Sequence, residues 1–160
     1  MAYESAFAKT PVDEYTILKL PAARWLVSKG DGEYFDSSSK MFRKLFSYIK
    51  ENDVSMTVPV EGRLDETEMR FYLGSETPEG LLDTDTVKIV SAPSRTVASL
   101  GASGSYTKKN VESAIRKLKI WVDRQENMQS VGEPYVVFWD GPFKLWFLKH
   151  FEVHLPVTEQ

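Results

Sequence analysis

Two stretches of the chain share one arrangement, and this arrangement decides the fold that we predict. Residues 15–28 read YTILKLPAARWLVS, and residues 87–100 read VKIVSAPSRTVASL. In each stretch, two strand-like runs are separated by a proline joint, and an arginine follows the proline closely. The two arginines, Arg24 and Arg95, lie 95 − 24 = 71 positions apart. We interpret the two stretches as equivalent parts of a duplicated structural unit.

The segments that follow each stretch repeat the same order of elements. Apolar residues recur at helical spacing in residues 40–51, KMFRKLFSYIKE, and again in residues 108–124. A serine at positions 37–39 is expected to cap the first helix, and residues 101–105 are expected to form a flexible connection before the second. Two further strands are predicted after each helix, at 56–60 and 68–73 in the first half and at 135–139 and 144–155 in the second, with a turn at 140–142.

The predicted fold class is therefore α+β, with a duplicated β-α-β-β unit. We expect pseudo-repeats over about residues 15–74 and 86–156 within one domain covering residues 1–160. Because hairpin-linked strands are antiparallel, the strands should form one curved sheet or a distorted barrel with two helices packed on it.

The composition is that of an ordinary globular protein and narrows the functional classes. The 160 residues are 42% hydrophobic and 27% charged, with a net charge of −3 and no cysteine. The negative charge and dispersed basic residues argue against a nucleic-acid partner. The absence of cysteine excludes disulfides and thiolate chemistry. Without a signal-peptide pattern or a membrane-spanning apolar run, we expect a cytoplasmic protein with no membrane span.

A family resemblance begins at Met56-Thr57-Val58-Pro59-Val60, which resembles the signature of the SOUL haem-binding family. Further segments resemble family motifs in the same order along the chain, over nearly its whole length. They are residues 42–49, which look like the family's first helix, Phe71-Tyr72-Leu73, Val87-Lys88-Ile89 and Trp139-Asp140-Gly141-Pro142-Phe143.

The resemblance implies both a fold and a ligand. The family's fold is similar to the gyrase-inhibitor-like effector-binding domain, with two β-α-β-β repeats. Its implied function is non-catalytic binding of haem or another tetrapyrrole at an apolar surface beside the first helix, without a required axial ligand. The chain departs from the family at residues 149–152, which read Lys-His-Phe-Glu where Arg-Arg-Asn-Glu is frequent. It departs again where Ser39 and Ser47 replace basic positions on the helix.

The sequence of the first helix, taken without the family resemblance, indicates an apolar surface wider than the helix needs for packing on a sheet. At 100° per residue its apolar side chains span about 160°, against about 120° for the second helix. The surplus comes from Phe42 and Phe46, and Arg43 and Lys44 border the arc, where they could meet two carboxylates. The alternative is that all the apolar residues are core. The predicted cofactor-binding residues are Met41, Phe42, Arg43, Lys44, Leu45, Phe46 and Met56.

The final strand carries the only two histidines. His150, Glu152 and His154 share one face of an alternating strand, which we expect to be solvent-exposed opposite a buried apolar face. No further ligand cluster is visible, so we predict neither a metal site nor an axial haem ligand. No catalytic motif stands out. The alternative function is a gyrase-inhibitor-like small-molecule binder or hydrolase with an aromatic-lined cleft and a carboxylate such as Glu152.

Overall fold

A computed structural model describes residues 3–140 and 149–159, and these residues form two helices and a large antiparallel sheet. The predicted α+β class and the duplicated unit are confirmed. The first half contains β1 (Glu4–Ser5), β2 (Tyr15–Leu20), β3 (Ala23–Lys29), α1 (Tyr34–Glu51), β4 (Thr57–Val58), β5 (Val60–Arg63) and β6 (Glu68–Leu73). The second half contains β7 (Lys88–Ala92), β8 (Arg95–Ser103), α2 (Lys108–Asp123), β9 (Met128–Ser130), β10 (Tyr135–Phe138) and β11 (His150–Glu159).

The order of strands in the sheet expresses the duplication. The strands lie in the order β2-β8-β11-β10-β5-β6-β3-β7, with β9 paired to β11, and neighbouring strands are antiparallel. Each half contributes four strands to this path: β2, β3, β5 and β6 from the first half, and β7, β8, β10 and β11 from the second. From the β2 end, the first of these strands in one half is followed by the second, fourth and third of the other half, and the same order is found from the β7 end with the halves exchanged. The equivalent strands β5 and β10 meet at its centre. The sheet curls into a half-barrel.

Both helices pack on the same side of the sheet, which we call the helix side. The stripe of α2, including Val111, Leu118 and Val122, packs on Phe151 and Val153 of β11. The stripe of α1 packs on β3 and β6 and forms a second cluster. None of the helices in the described part of the chain is long and apolar enough to cross a membrane.

The start of α1 differs from the prediction. The helix begins at Tyr34 rather than Lys40, and Glu33 stands at its N-cap without a capping side chain. The serines do not cap the helix, because the hydroxyls of Ser37 and Ser38 donate to the backbone carbonyls of Asp31 and Phe35. Such local bonds let serine lie inside a helix. The earlier start adds more than one turn to the helix.

Three strand predictions also need correction. The expected flexible connection at 101–105 is wrong in its first part, because β8 continues to Ser103 and pairs with β11. The single strand predicted at 56–60 is split into β4 and β5 at Pro59, which has no N–H for a sheet ladder. Strands β1 and β9 were not predicted. Residues 141–142 of the predicted turn and 144–148 of the last predicted strand lie outside the described ranges.

Candidate functional site

A cleft of about 580 Å³ lies on the helix side, between the first half of α1 and the sheet. Its volume falls within the range of roughly 300–1,000 Å³ that is typical of small-molecule sites. We call it the α1 cleft. It is lined by Tyr34, Phe35, Ser38, Ser39, Phe42 and Arg43 from α1, with Val60, Met69, Tyr106, Phe138, Asp140 and Lys149 from other elements.

Aromatic rings make up most of the apolar wall of the α1 cleft. The rings of Tyr106 and Phe138 lie with centroids 4.5 Å apart, and Tyr34 stacks near Phe138 at 6.5 Å. On the α1 side, Phe42 meets Phe71 edge-on at 5.6 Å. Rings of this kind present large flat apolar surfaces. The cleft therefore suits a flat apolar ligand.

Tyr34 forms a buried part of this wall. Its phenol carbon and oxygen lie where a side chain on Gly62 would begin, 2.6 Å from the position of a Cβ, so the ring fits only because position 62 is glycine. The hydroxyl has no hydrogen-bond partner among the described residues. Burial raises the pKa of Tyr34 well above its ordinary value, so the side chain is a neutral phenol at physiological pH.

Two cations border the α1 cleft without carboxylate partners. Neither Arg43 nor Lys149 forms an ion pair within the described residues. The Lys149 ammonium lies 4.8 Å from the ring centroid of Tyr106. Arg43 is exposed and Lys149 is half-buried. Both side chains are thus free to bind acidic groups of a ligand.

The lining residues offer little to a haem iron. The Tyr106 hydroxyl donates to the His150 carbonyl at 2.6 Å and accepts from the Asp140 N–H at 3.0 Å. Because both of these hydrogen bonds stay within the protein, this hydroxyl is poorly placed to ligate iron. Burial raises the pKa of Tyr106 far above its ordinary value, which disfavours a phenolate ligand. Burial likewise keeps the lining residue Tyr34 a neutral phenol, which leaves Met69 among the lining residues of types that ligate haem iron. The residues present fit a macrocycle better than they fit its metal.

The structure distributes the predicted binding residues over several environments. Phe42 and Arg43 line the α1 cleft. Met41 and Leu45 are fully buried beneath it, in the cluster between α1 and the sheet. Lys44, Phe46 and Met56 do not line the cleft. Lys44 is half-buried, and Met56 lines a separate pocket of about 320 Å³. The ring of Phe46 stacks on that of Phe42, with centroids 5.8 Å apart, and its side chain is 39% exposed.

Sequence reasoning missed the part of the α1 cleft that comes from the first turns of the helix and from outside it. Tyr34 and Phe35 precede the helix start that we predicted, although Phe35 lies seven positions before Phe42 and therefore on the same face. That spacing was a usable signal. No local pattern could have brought Tyr106, Phe138 and Lys149 to α1, because only the pairing of the two halves does so.

The opposite side of the sheet, which we call the inner side, contains a buried polar cluster. The expectation that His150, Glu152 and His154 form an exposed face is wrong for two of the three. Glu152 and His154 are both 0% exposed, and His150 is half-buried. The alternation along the strand was predicted correctly, but Glu152 and His154 are covered by residues 3–13, a segment that we call the strap.

Glu152 is the centre of this cluster. Its carboxylate accepts hydrogen bonds from the Thr10 N–H at 2.9 Å, the Ser99 hydroxyl at 3.0 Å and the Trp139 indole N–H at 2.5 Å, and lies 2.6 Å from His154 Nε2. Burial alone would raise the pKa of Glu152, but the hydrogen bond and charge of His154, with the bonds from Thr10 and Trp139, hold it below its ordinary value. The carboxylate is charged and fully paired.

A chain of hydrogen bonds continues from His154 to the rim. His154 Nδ1 lies 3.1 Å from the Tyr135 hydroxyl, which accepts from Arg95 at 3.0 and 3.2 Å. Arg95 and Arg63 both pair with the buried Glu61, at 2.8 and 3.0 Å. Burial, followed by the charge of Glu61, raises the pKa of Tyr135 to about 12, so its side chain stays a neutral phenol. The described residues contain no group of three or more His, Cys, Asp or Glu side chains able to hold a metal ion.

The duplicated order of elements agrees with the family resemblance that begins at residues 56–60. A family model described as SOUL heme-binding protein matches residues 2–156. The chain belongs to the SOUL heme-binding family. No curated protein sequence matches it.

Solved structures extend the likeness to the gyrase-inhibitor-like effector-binding fold. EcmrR in a cryo-EM structure of its DNA complex matches with a TM-score of 0.71 and 12% identity, over 92% of this SOUL chain and 58% of the EcmrR chain. A Listeria innocua protein described as a hydrolase matches with a TM-score of 0.61 and 14% identity, over 93% of this chain and 94% of that one. SAV2435, solved bound to tetraphenylphosphonium, matches with a TM-score of 0.54 and 12% identity, over 91% and 98%. At these identities the likeness concerns the fold.

Proposed function

We propose that this SOUL protein binds haem or a related tetrapyrrole in the α1 cleft, without catalysis and without a dedicated axial ligand. The observation that carries the proposal is the pairing of a flat aromatic wall with two cations, Arg43 and Lys149, that have no carboxylate partner among the described residues. A tetrapyrrole with propionates is flat, apolar and acidic at its edge. Membership of the family supports the same ligand class.

The proposed contacts revise the residues predicted from the sequence. Phe42 contacts the macrocycle together with Phe35 and Phe138, while Arg43 and Lys149 bind the propionates. Met41 and Leu45 support the helix from below because they are fully buried. The bound iron would supply its usual affinity for a soft or anionic ligand, but no lining residue is placed for that purpose alone. The macrocycle therefore accounts for most of the binding free energy.

Titration with hemin and with metal-free protoporphyrin tests this proposal. We expect saturation at one equivalent for both, with dissociation constants within about tenfold, a difference under roughly 1.4 kcal/mol. Phe42→Asp should weaken the one-to-one component more than tenfold. Ile120→Asp, at a 52% exposed apolar residue of α2, is the matched control and should leave it intact. Binding that never saturates, or that Ile120→Asp weakens equally, would contradict a specific site.

We propose a second candidate function at the inner side, where Glu152 could bind an aromatic organic cation. The supporting observation is a wholly buried carboxylate with Tyr135 and Trp139 beside it and Phe7 packed on Trp139. Carboxylates and aromatic rings both attract cations in a site shielded from water. SAV2435, which shares the fold, was solved with the cation tetraphenylphosphonium bound.

Calorimetric titration with tetraphenylphosphonium tests the second candidate. Because the inner side and the α1 cleft lie on opposite sides of the sheet, hemin and the cation should bind without competing. Displacement of one by the other would place both ligands in a single cleft and argue against the inner-side site.

A further inference from the structure

We infer that the strap, residues 3–13, is a built-in occupant of the inner-side site and must be displaced before that site can take a ligand. The identity of the ligand rests on the second candidate function proposed above. The closing role of the strap rests only on its contacts, which are those that a bound ligand would make with Glu152 and the neighbouring rings.

The middle of the strap occupies the donor and aromatic positions of the site. Thr10 directs both its N–H and its hydroxyl at Glu152, with distances of 2.9 and 3.2 Å. Phe7 packs edge-on against Trp139 at 5.4 Å and lies 5.5 Å from the ring of His154. The Lys9 ammonium stands 5.6 Å from the Trp139 ring centroid, where an organic cation would stack. The strap thus supplies a donor, a ring and a cation.

The two ends of the strap are held by other means. Glu4 accepts bonds from the N–H and hydroxyl of Ser75, and β1 pairs with β4 over two residues. At the other end Val12 forms an isolated bridge with Gly101, and the Asp13 N–H donates to the Gly101 carbonyl at 2.9 Å. Residues 6–11 between these ends belong to no strand. They are held by the Ala6 N–H, which donates to the Val58 carbonyl at 2.9 Å, and by the bonds of Thr10 to Glu152 and Ser99. A segment outside the sheet ladder can open without global unfolding.

Gly101 is the position on the sheet that permits the strap to close. A Cβ at Gly101 would lie 2.5 Å from the Thr10 carbonyl oxygen and still closer to that of Pro11. Gly101 belongs to β8, which is paired on both sides, to β2 and to β11. Because β8 is paired on both sides while residues 6–11 of the strap belong to no strand, Gly101→Ala should move the strap and leave the sheet in place.

Limited trypsin cleavage after Lys9 measures displacement of the strap directly. The peptide bond that trypsin would cut includes the Thr10 N–H, which is buried against Glu152, so cleavage requires the strap to open. We expect Gly101→Ala to accelerate this cleavage at least tenfold. Phe7→Ala, which leaves β8 unchanged, should accelerate cleavage after Lys9 several-fold. This variant replaces Gly101→Ala as the test if Gly101→Ala folds poorly. Gly132→Ala, where a Cβ would meet only the Pro156 side chain, is the matched control.

The same variants measure competition between the strap and a cation. Tetraphenylphosphonium should bind Gly101→Ala at least tenfold more tightly than the intact protein, and Gly132→Ala should match the intact protein. Unchanged cleavage in both Gly101→Ala and Phe7→Ala would overturn the inference, as would equal affinity of intact and opened protein for the cation. Faster cleavage without cation binding to any variant would uphold the displaceable strap and overturn the cation as ligand.

Discussion

The two sides of the sheet differ in whether their charged side chains are paired within the protein. On the helix side, the α1 cleft holds Arg43 and Lys149 without carboxylate partners in the described part of the chain, beside open aromatic surface. On the inner side, Glu152 and Glu61 are wholly buried; Thr10 and Trp139 donate hydrogen bonds to Glu152, and Arg63 and Arg95 pair with Glu61. The open side is prepared for a ligand from outside, whereas the charges of the inner side are satisfied by the chain itself.

The largest effect should come from breaking the inner-side cluster. Glu152→Ala leaves the donors of Thr10, Trp139 and His154 without an acceptor, and unpaired buried groups are costly. We expect the free energy of unfolding to fall by about 3–5 kcal/mol, measured by urea denaturation. The control is Glu159→Ala at the exposed end of β11, which should change stability by less than about 0.5 kcal/mol. If the free energy of unfolding falls no more than it does in the control variant, Glu152 does not stabilise the fold.

Lowering the pH should remove the contribution of the Glu152 carboxylate to the free energy of unfolding. The pKa of Glu152 in the folded protein is below its ordinary value of 4.5, so its stabilising contribution is present above that value and is lost as the pH falls through the folded pKa. The stability difference between the natural protein and Glu152→Gln should therefore shrink as the pH is lowered below about 4.5. Urea midpoints at pH 7 and at successive lower pH values check this. A constant difference would mean that Glu152 does not titrate in that window.

On the helix side, two neighbouring phenylalanines separate the site seen in the structure from the site predicted from the sequence. Phe42→Asp should weaken hemin binding more than tenfold, because a charge against the macrocycle costs upwards of about 1.4 kcal/mol. Phe46 lies outside the cleft lining, so Phe46→Asp should weaken it less than about threefold. Absorbance titrations with circular dichroism as a folding control decide the point. Equal losses would extend the site along α1 to Phe46.

The smallest effect concerns the two unpaired cations. Lys149→Gln and Arg43→Gln should each weaken binding of a carboxylate-bearing porphyrin about two- to fivefold, since partly exposed ion pairs contribute roughly 0.2–1 kcal/mol. The loss should diminish at high salt. Lys117→Gln, in a separate groove beside α2, should have no effect. If the Lys117 variant behaves like the other two, general attraction rather than specific pairing would explain the charge dependence.

Much of the site could not be reached from the sequence, for physical reasons that differ between residues. Phe42 was found because helical periodicity places it on the widened apolar arc of the helix, and Arg43 because it borders that arc. Tyr34 and Phe35 were missed because the serine run resembled a cap, although the helix already begins at Tyr34 and the Ser37 and Ser38 hydroxyls donate to the preceding carbonyls of Asp31 and Phe35. Tyr106, Phe138 and Lys149 reach the α1 cleft through the strand pairing between the two halves, such as that of β5 with β10.

The sequence by itself determined the duplicated order of strands and helices, since period-two and helical patterns are local and occur in both halves. It also determined that Glu152 and His154 lie on the face of β11 opposite Phe151 and Val153. Only the tertiary structure decided whether that face meets water. The answer depends on Thr10, which lies 142 positions away from Glu152 along the chain and covers it in the folded protein. Alternation fixes the side on which a residue points, but burial depends on which distant segment packs there.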